Sequence, residues 1–435
     1  MYFGRAVSWS FLTHACKGFA VPIAATFIAF YLDLETQGYL YTFISLLAIQ
    51  FLFELGFTQI IITFIAYEAN HLRKYKNFFK GKYTHYLRMK EIINFSIHWF
   101  RYAAFLYLLI LIFVGIFVFA DANKAVNLWL WPFLMMALIS SIEVLVIPYF
   151  GIKEGMGFVD EVFKLRFFKV FLQSSSYLLF IYLGFGIWSL PLSLLFACMI
   201  NIYFLGKNKK LFISLSRLSH QKKHFNWKSE MLPMQYRIGI GAIAGYLTFS
   251  LFTPMTFKLL GAELAGKVGL TIALVSGITN LAVAPSMVAS QRIASLVEQR
   301  KSNEVQRLVR NLIVTSFLIH LVALIALMII YNFLGNIYSE ILNRALSPAL
   351  FICYFFAFML SKTSLPMGIY LRAHKQEPLL WLSIVTGLFV SLGSFFTIQL
   401  IGAKGPPLIY LAMGLISFSI FLIYYKSYIS KKNYI

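Results

Sequence analysis

Charged side chains are scarce in this chain, and acidic ones are the scarcest. Of the 435 residues, 12% are charged and 60% are apolar, and 16 Asp and Glu stand against 38 Lys and Arg. The mean hydropathy is +0.76. Polar surface in this amount cannot cover a soluble globule, so the composition excludes an ordinary water-soluble domain and indicates a chain that lies mostly in lipid.

Cysteine is also rare, and the sequence lacks the common cofactor motifs. The three cysteines, Cys16, Cys198 and Cys353, lie in apolar stretches without metal-ligand or redox spacing. We therefore interpret them as packing residues. No Walker A sequence occurs, which excludes ATP hydrolysis by this chain. No metal-ligand cluster is evident either, so we expect no cofactor.

Long apolar stretches separated by polar connections predict an all-α, polytopic membrane protein with about twelve transmembrane helices. The first stretch contains Lys17 and is too long for the core of a signal peptide, so we interpret it as an uncleaved first span. The predicted spans are 7–32, 37–67, 95–120, 129–151, 166–184, 187–206, 234–258, 266–292, 309–332, 347–371, 379–401 and 406–425.

The basic residues predict the orientation of these spans. With a cytoplasmic N-terminus, about 30 of the 38 Lys and Arg residues fall in the inner connections and at the two ends. This bias predicts a multi-pass protein of the bacterial inner membrane with both termini in the cytoplasm. Basic loops of this kind face anionic lipid head groups. They carry no recognition motif for nucleic acid, so we expect no nucleic-acid partner.

A basic linker and a weak internal repeat predict two lobes of six helices each. Glu35 and Gly38 align with Glu263 and Gly266 at one offset of 228 residues. Equal numbers of spans in equal orientation predict a parallel repeat with a central cavity between the lobes. The predicted divisions are an N-terminal lobe at 1–206, a cytoplasmic linker at 207–233, a C-terminal lobe at 234–425 and a cytoplasmic tail at 426–435.

The most specific stretch of the sequence is residues 32–68, LDLETQGYLYTFISLLAIQFLFELGFTQIIITFIAYE. An acidic residue before Gly-Tyr and a later Leu-Gly-Phe make it similar to the second-helix signature of polysaccharide transporters in the multidrug/oligosaccharidyl-lipid/polysaccharide (MOP) superfamily. Within that superfamily the chain resembles the O-antigen (Wzx-type) flippases. The resemblance in topology covers nearly the whole chain, whereas the motif is local.

This resemblance implies a transport function rather than catalysis. Flippases of this kind move undecaprenyl-pyrophosphate-linked oligosaccharides, such as O-antigen or capsule repeat units, from the inner to the outer leaflet by alternating access. The implied setting is polysaccharide and lipopolysaccharide biosynthesis, with a glycan polymerase and a chain-length regulator as possible partners. A proton or sodium gradient could drive the cycle.

Ionisable residues inside the predicted spans are the candidate substrate-path residues, because each is costly in lipid unless it faces protein or water. Lys17 is predicted near the midplane, with His14 one helical turn before it and Glu54 at a depth that allows an ion pair with Lys17. A pyrophosphate or proton site and a purely structural ion pair both remain open. The full set is Lys17, Glu54, His14, Glu143, Lys362, Arg101 and Lys169. Arg101 and Lys169 can also be interpreted as topology anchors.

Two prolines occupy roughly corresponding places in the two halves. Pro22 in the first span and Pro254 in the seventh are predicted to bend their helices. The bends could be static kinks or hinges for alternating access, and the sequence leaves both open.

Two other functions compete with the flippase. An ion-coupled multidrug exporter of the same superfamily would favour acidic and aromatic cavity walls, whereas Lys17 and Lys362 favour an anionic, lipid-linked cargo. A membrane glycosyltransferase or polymerase would usually carry a large outer loop, and every outer connection predicted here is short.

The charge bias generates a test of topology. Reporter fusions at residues 85 and 220 are expected to report a cytoplasmic location, because both positions fall in strongly basic connections. A periplasmic signal at either position would contradict the predicted arrangement of spans.

Overall fold

The computed structural model describes residues 2–74, 79–120, 125–216, 225–337, 343–374 and 380–433. Part of the predicted basic linker therefore lies outside the described residues. The chain divides into two compact units. Met1–Lys17 and Phe43–Tyr246 form the first unit, and Gly18–Thr42 and Leu247–Ile435 form the second.

The first ten helices contain the first unit and the segment 18–42 of the second. A small antiparallel hairpin, with Arg73 opposite Lys80, adds two short strands to the predicted all-α fold. The elements are α1 (Tyr2–Tyr31), α2 (Leu34–Leu47), α3 (Gln50–Glu54), α4 (Phe57–Asn70), β1 (Leu72–Lys74), β2 (Phe79–Gly81), α5 (Tyr83–Phe119), α6 (Val126–Gly155), α7 (Val159–Tyr182), a 3-10 turn (Gly186–Trp188), α8 (Ser189–Ser216), α9 (Trp227–Glu230) and α10 (Leu232–Phe249).

The remaining helices belong to the second unit. Its core contains an aromatic cluster in which Phe252, Tyr354 and Tyr410 are almost completely buried. The elements are α11 (Phe252–Leu260), α12 (Ala262–Glu298), α13 (Ser302–Ile337), α14 (Pro348–Thr363), α15 (Leu365–Ala373), α16 (Leu380–Ile401), a 3-10 turn (Gly402–Lys404) and α17 (Gly405–Asn433).

The polytopic all-helical fold is confirmed, and every predicted span lies on one helix or a run of helices. Within the described residues, 9 helices are long and apolar enough to cross a membrane, or 10 when the pair α10 and α11, bent by 42°, counts as one span. One of these, Leu380–Ser430, contains both α16 and α17. These two helices fold back on each other, since Thr386 hydrogen-bonds Ser417 at 2.6 Å.

The fifth predicted span, 166–184, corresponds to α7, which is absent from the apolar set. Its first half carries Lys164, Arg166 and Lys169, and polar residues follow at 173–176. The number of spans is 10 when α10 and α11 count as one. Adding α7 and counting α16 and α17 as two spans brings the number to about twelve, as predicted. The helix that is least suited to face lipid is therefore α7.

The second predicted span is a run of three helices with a sharp break before α4. Leu55 and Gly56 both have positive φ, at 45° and 65°. Glycine adopts this conformation freely, and a side chain on Gly56 would meet Ile238 at 2.0 Å. The Leu-Gly-Phe of the sequence signature is thus a helix break, after which the buried Phe57 begins α4.

The two predicted bending prolines differ in their settings. Helix α1 continues without a break through Pro22. The seventh predicted span bends between Phe249 and Phe252, and Pro254 lies in the first turn of α11 just beyond that bend. A proline is tolerated there because its missing N–H would have no partner in the first turn.

The division into units differs from the predicted boundary at 207–233, because residues 18–42 pack with the second unit. The packing depends on two glycines that allow helix backbones to approach closely. A Cβ atom on Gly38 would lie 1.9 Å from the carbonyl oxygen of Ala262. A Cβ atom on Gly266 would lie 2.8 Å from the carbonyl oxygen of Leu34.

These contacts between α2 and α12 are reciprocal and support the internal repeat. Residues 34 and 38 correspond to 262 and 266 at the offset found in the sequence. Gly38 meets Ala262, which is the counterpart of Leu34, and Gly266, which is the counterpart of Gly38, meets Leu34. The same two positions of the repeat are therefore in contact in both directions. Such exchange is expected when two copies of one segment meet about a two-fold axis. Gln37 strengthens the contact by donating to the carbonyl of Gly266 at 2.8 Å.

We expect Gly38→Ala to destabilise the protein by about 3 kcal/mol, because the added methyl group must push two helix backbones apart. Gly241→Ala is the matched control, since nothing lies within 4 Å of a Cβ atom there. Replacing that helical glycine should be neutral or stabilise by about 0.5–1 kcal/mol. Thermal unfolding in detergent measures both variants, and equal melting temperatures would contradict the close contact.

Candidate functional site

Three positively charged residues of the first unit lie together on α1 and α7. Lys17 is near the middle of the 30-residue α1. The charges that act on it most strongly are Lys169 and Arg166 of α7. We call Lys17, Arg166 and Lys169 the cationic cluster. The Lys17 side chain is exposed, so a ligand can reach it.

Aromatic packing holds the first half of α1 against α7. The Trp9 ring lies 5.5 Å from the ring of Phe167 and 6.1 Å from that of Phe168. Lys164 places its ammonium group 5.9 Å from the Trp9 ring in a cation–π contact. Trp9 precedes Lys17 by about two helical turns, so this packing positions Lys17 beside α7.

Within the described residues, two of the three cations have acidic partners and the third has none. Lys169 pairs with Glu143 of α6 at 2.9 Å. Arg166 pairs with Glu154 of the same helix at 2.8 Å. Among the residues that the structure describes, Lys17 forms no ion pair. Two carboxylates against three cations leave one unit of positive charge in the cluster.

The structure separates Lys17 from its predicted partner Glu54. Glu54 is the last residue of α3, where the helix ends at the break at Leu55 and Gly56. Within the described part of the chain, no ion pair joins Lys17 and Glu54, and the charged side chains that interact with Lys17 are Lys169 and Arg166. His14 does lie near Lys17, one turn earlier on an exposed face. The predicted ion pair is therefore wrong in this structure, whereas the proximity of His14 is present.

Lys362 occupies a separate site in the second unit. It lies in the last turn of α14, and its ammonium group is 5.1 Å from the Phe249 ring. His320 of α13, which the sequence analysis missed, is completely buried and close enough for its charge to interact with Lys362. The position of His320 in the middle of a long apolar segment is the sequence feature that could have identified it as a candidate.

Arg101 lies apart from both sites, in a groove of the first unit. The groove has a volume of about 350 Å³ and is lined by Asn94, His98 and Arg101 of α5, with Tyr149 and Phe212 from neighbouring helices. Arg101 and His98 are both exposed. The structure thus does not bring Arg101 to the cationic cluster.

Two further buried ionic networks lie near helix ends of the first unit. Glu68 is 1% exposed and contacts His85 at 2.7 Å and Arg88 at 2.9 Å. Lys153 is similarly buried and contacts Asn208 at 2.6 Å and Glu161 at 2.7 Å. Both networks connect helices within the first unit. Among the described residues, no group of three or more His, Cys, Asp or Glu side chains could hold a metal ion.

Charge exchange distinguishes the observed ion pair from the predicted one. We expect Glu143→Lys combined with Lys169→Glu to recover part of the stability that either single change loses, with a coupling of about 1 kcal/mol. Lys17→Glu combined with Glu54→Lys should show no coupling, because these residues do not pair. A double-mutant cycle of thermal unfolding in detergent measures both, and the reverse pattern would contradict the geometry.

The fold is shared with solved membrane transporters along nearly the whole chain. The lipid II flippase MurJ in its inward closed conformation is 12% identical, with a TM-score of 0.60 over 97% of this chain and 87% of that chain. An inward-facing multidrug resistance MATE family transporter of the MOP superfamily is 14% identical, with a TM-score of 0.59 over 94% of this chain and 98% of that chain.

A third similar structure is a MOP superfamily transporter from Pyrococcus furiosus Vc1, described by the reverse polarity of its binding pocket. It is 15% identical, with a TM-score of 0.52 over 98% of this chain and 95% of that chain. No protein-family profile and no curated protein matches the sequence. The chain therefore has the fold of MOP superfamily transporters, and the O-antigen assignment stays a prediction.

Proposed function

We propose that this protein is a flippase that moves an anionic, lipid-linked cargo across the bacterial inner membrane. The cargo we propose is a polyprenyl-pyrophosphate-linked oligosaccharide of the O-antigen or capsule repeat type. The observation that carries the proposal is the cationic cluster of Lys17, Arg166 and Lys169, in which the charge of Lys17 is not neutralised.

The chemistry of the cargo matches this cluster. The polyprenyl tail is soluble in lipid, so the barrier to crossing lies in the hydroxylated and doubly anionic head group. Charge-assisted hydrogen bonds from ammonium and guanidinium groups to phosphate replace the water that the head group loses. Lys17 is near the middle of its helix and exposed, so it can provide one such contact at membrane depth.

The shared fold supports a transport function without choosing the cargo. The similar structures include a lipid II flippase and multidrug resistance transporters. A multidrug exporter is therefore the second candidate. The local charge favours the flippase, because the two carboxylates beside the cluster, Glu143 and Glu154, are already paired with cations. A cationic drug would meet net repulsion there, whereas an anionic head group would be attracted.

Variants of Lys17 test the proposal in proteoliposomes. The probe is a fluorescent undecaprenyl-pyrophosphate-linked oligosaccharide, and a membrane-impermeant quencher reports the leaflet in which it lies. We expect Lys17→Ala to slow movement of the probe by about tenfold to a hundredfold, the loss of one hydrogen bond to a charged group. Lys17→Arg should retain most of the rate, because the positive charge remains.

Lys301→Ala is the matched control, since Lys301 is exposed and, among the described residues, forms an ion pair with the neighbouring Glu304 alone. Its rate should equal that of the wild type. The flippase proposal fails if the wild-type protein does not move the glycolipid probe, or if Lys17→Ala moves it at the wild-type rate. Transport of a cationic dye in place of the glycolipid would support the multidrug exporter.

A further inference from the structure

Lys362 is a lysine at membrane depth whose charge is not neutralised by a carboxylate. It is 14 residues into the run formed by α14 and α15, which spans Pro348–Ala373, and its side chain is partly buried. The break between α14 and α15 follows it directly, ahead of Pro366. Among the described residues, no acidic side chain forms an ion pair with Lys362, and its ammonium group lies over the ring of Phe249.

This setting contrasts with that of two lysines in the first unit that pair with carboxylates. Lys153 and Lys169 each contact a carboxylate within 3 Å, at 2.7 Å and 2.9 Å. A carboxylate at this distance holds the proton on the ammonium group, because losing the proton would leave an unpaired buried negative charge. An aromatic face stabilises an ammonium by only about 1–2 kcal/mol. Among the described residues, Lys362 therefore lacks the carboxylate that would hold a proton on its amine.

His320, a second group that can accept a proton, lies close to Lys362. The buried His320 uses its Nδ1 atom in a 2.7 Å hydrogen bond with the carbonyl oxygen of Ser316. In the neutral ring Nδ1 is then the donor, which leaves a lone pair on Nε2. The Nε2 atom is buried and has no hydrogen-bond partner. Since no described group donates a hydrogen bond to Nε2, this atom can accept a proton.

Among the described residues, the groups that interact with Lys362 are His320 of α13 and the Phe249 ring of α10. Neither of them is negatively charged. Sodium ions bind to sets of carboxylate and carbonyl oxygens, so a site with a lysine at its centre is unsuited to sodium. The described residues of this site therefore favour a proton as the coupling ion.

We propose that Lys362 is the proton carrier of the transport cycle, with His320 as its neighbouring acceptor. The lone pair of the Lys362 amine takes a proton from water on one side of the membrane, forming an N–H bond. The ammonium gives that proton to water on the other side when the same bond breaks, and nothing is oxidised or reduced. The inference deepens the proposed transport function and rests on it.

Proton uptake by the purified, full-length protein tests this role without any cargo. The pH of a weakly buffered sample is lowered from about pH 9 to about pH 6, and an indicator dye counts the protons bound per chain. Exposed lysines stay protonated throughout, since their ordinary pKa is about 10.4. We expect Lys362→Gln to bind close to one proton fewer than the wild type. Lys362→Arg keeps the positive charge and should show the same loss.

Lys301→Gln is the control, and its uptake should match that of the wild type. Equal uptake by the wild type and Lys362→Gln would overturn the proposal. Melting temperatures of both Lys362 variants establish that they fold. If Lys362→Gln is unfolded, the comparison of Lys362→Arg with the wild type decides the outcome by the same criterion.

Transport in proteoliposomes then separates this inference from the proposed function. With a gradient of one pH unit, we expect wild-type movement of the glycolipid probe to change by up to about tenfold, and neither Lys362 variant to respond. Glycolipid movement that ignores the gradient would overturn proton coupling while leaving the flippase intact. A gradient response seen only with a cationic dye, and lost in Lys362→Gln, would keep the carrier and reject the flippase.

Discussion

The free-energy cost of holding a positive charge at the depth of the hydrocarbon shapes both units of this protein. In the first unit, carboxylates of α6 meet that cost, because Glu143 pairs with Lys169 and Glu154 pairs with Arg166. Lys17 remains as an unpaired charge at the edge of the same cluster. In the second unit, Lys362 has an aromatic ring in place of a carboxylate. Paired cations are fixed in their charge, whereas unpaired ones can bind a ligand or release a proton.

Close packing at two glycines accounts for the position of the boundary between the two units along α1. The contact of Gly38 with Ala262 and the reciprocal contact of Gly266 with Leu34 hold residues 18–42 in the second unit. Helix α1 is consequently divided immediately after Lys17. Its first half contributes Lys17 to one unit, and its second half packs against α12 of the other, where Gly277 meets Pro22.

Charge rather than fold separates the candidate functions. The solved structures that share this fold include a lipid II flippase, multidrug transporters and a transporter with a pocket of reverse polarity. One fold therefore occurs in transporters that are named for different cargoes, so the fold by itself does not identify the ligand. In this chain, the scarcity of acidic residues and the unpaired Lys17 favour an anionic cargo.

The sequence by itself determined the membrane class, the helical fold, the approximate positions of the helices and the places of Lys17, Glu143 and Lys362 along them, because hydropathy and helical rise are local properties. Tertiary structure alone decided the partners of these residues. Lys17 lies beside α7 instead of Glu54, and His320 lies beside Lys362. Depth follows from position along one helix, whereas a partner depends on how each helix is rotated and packed against others. Contacts such as that between Gly38 and Ala262, which are distant in sequence, determine that rotation.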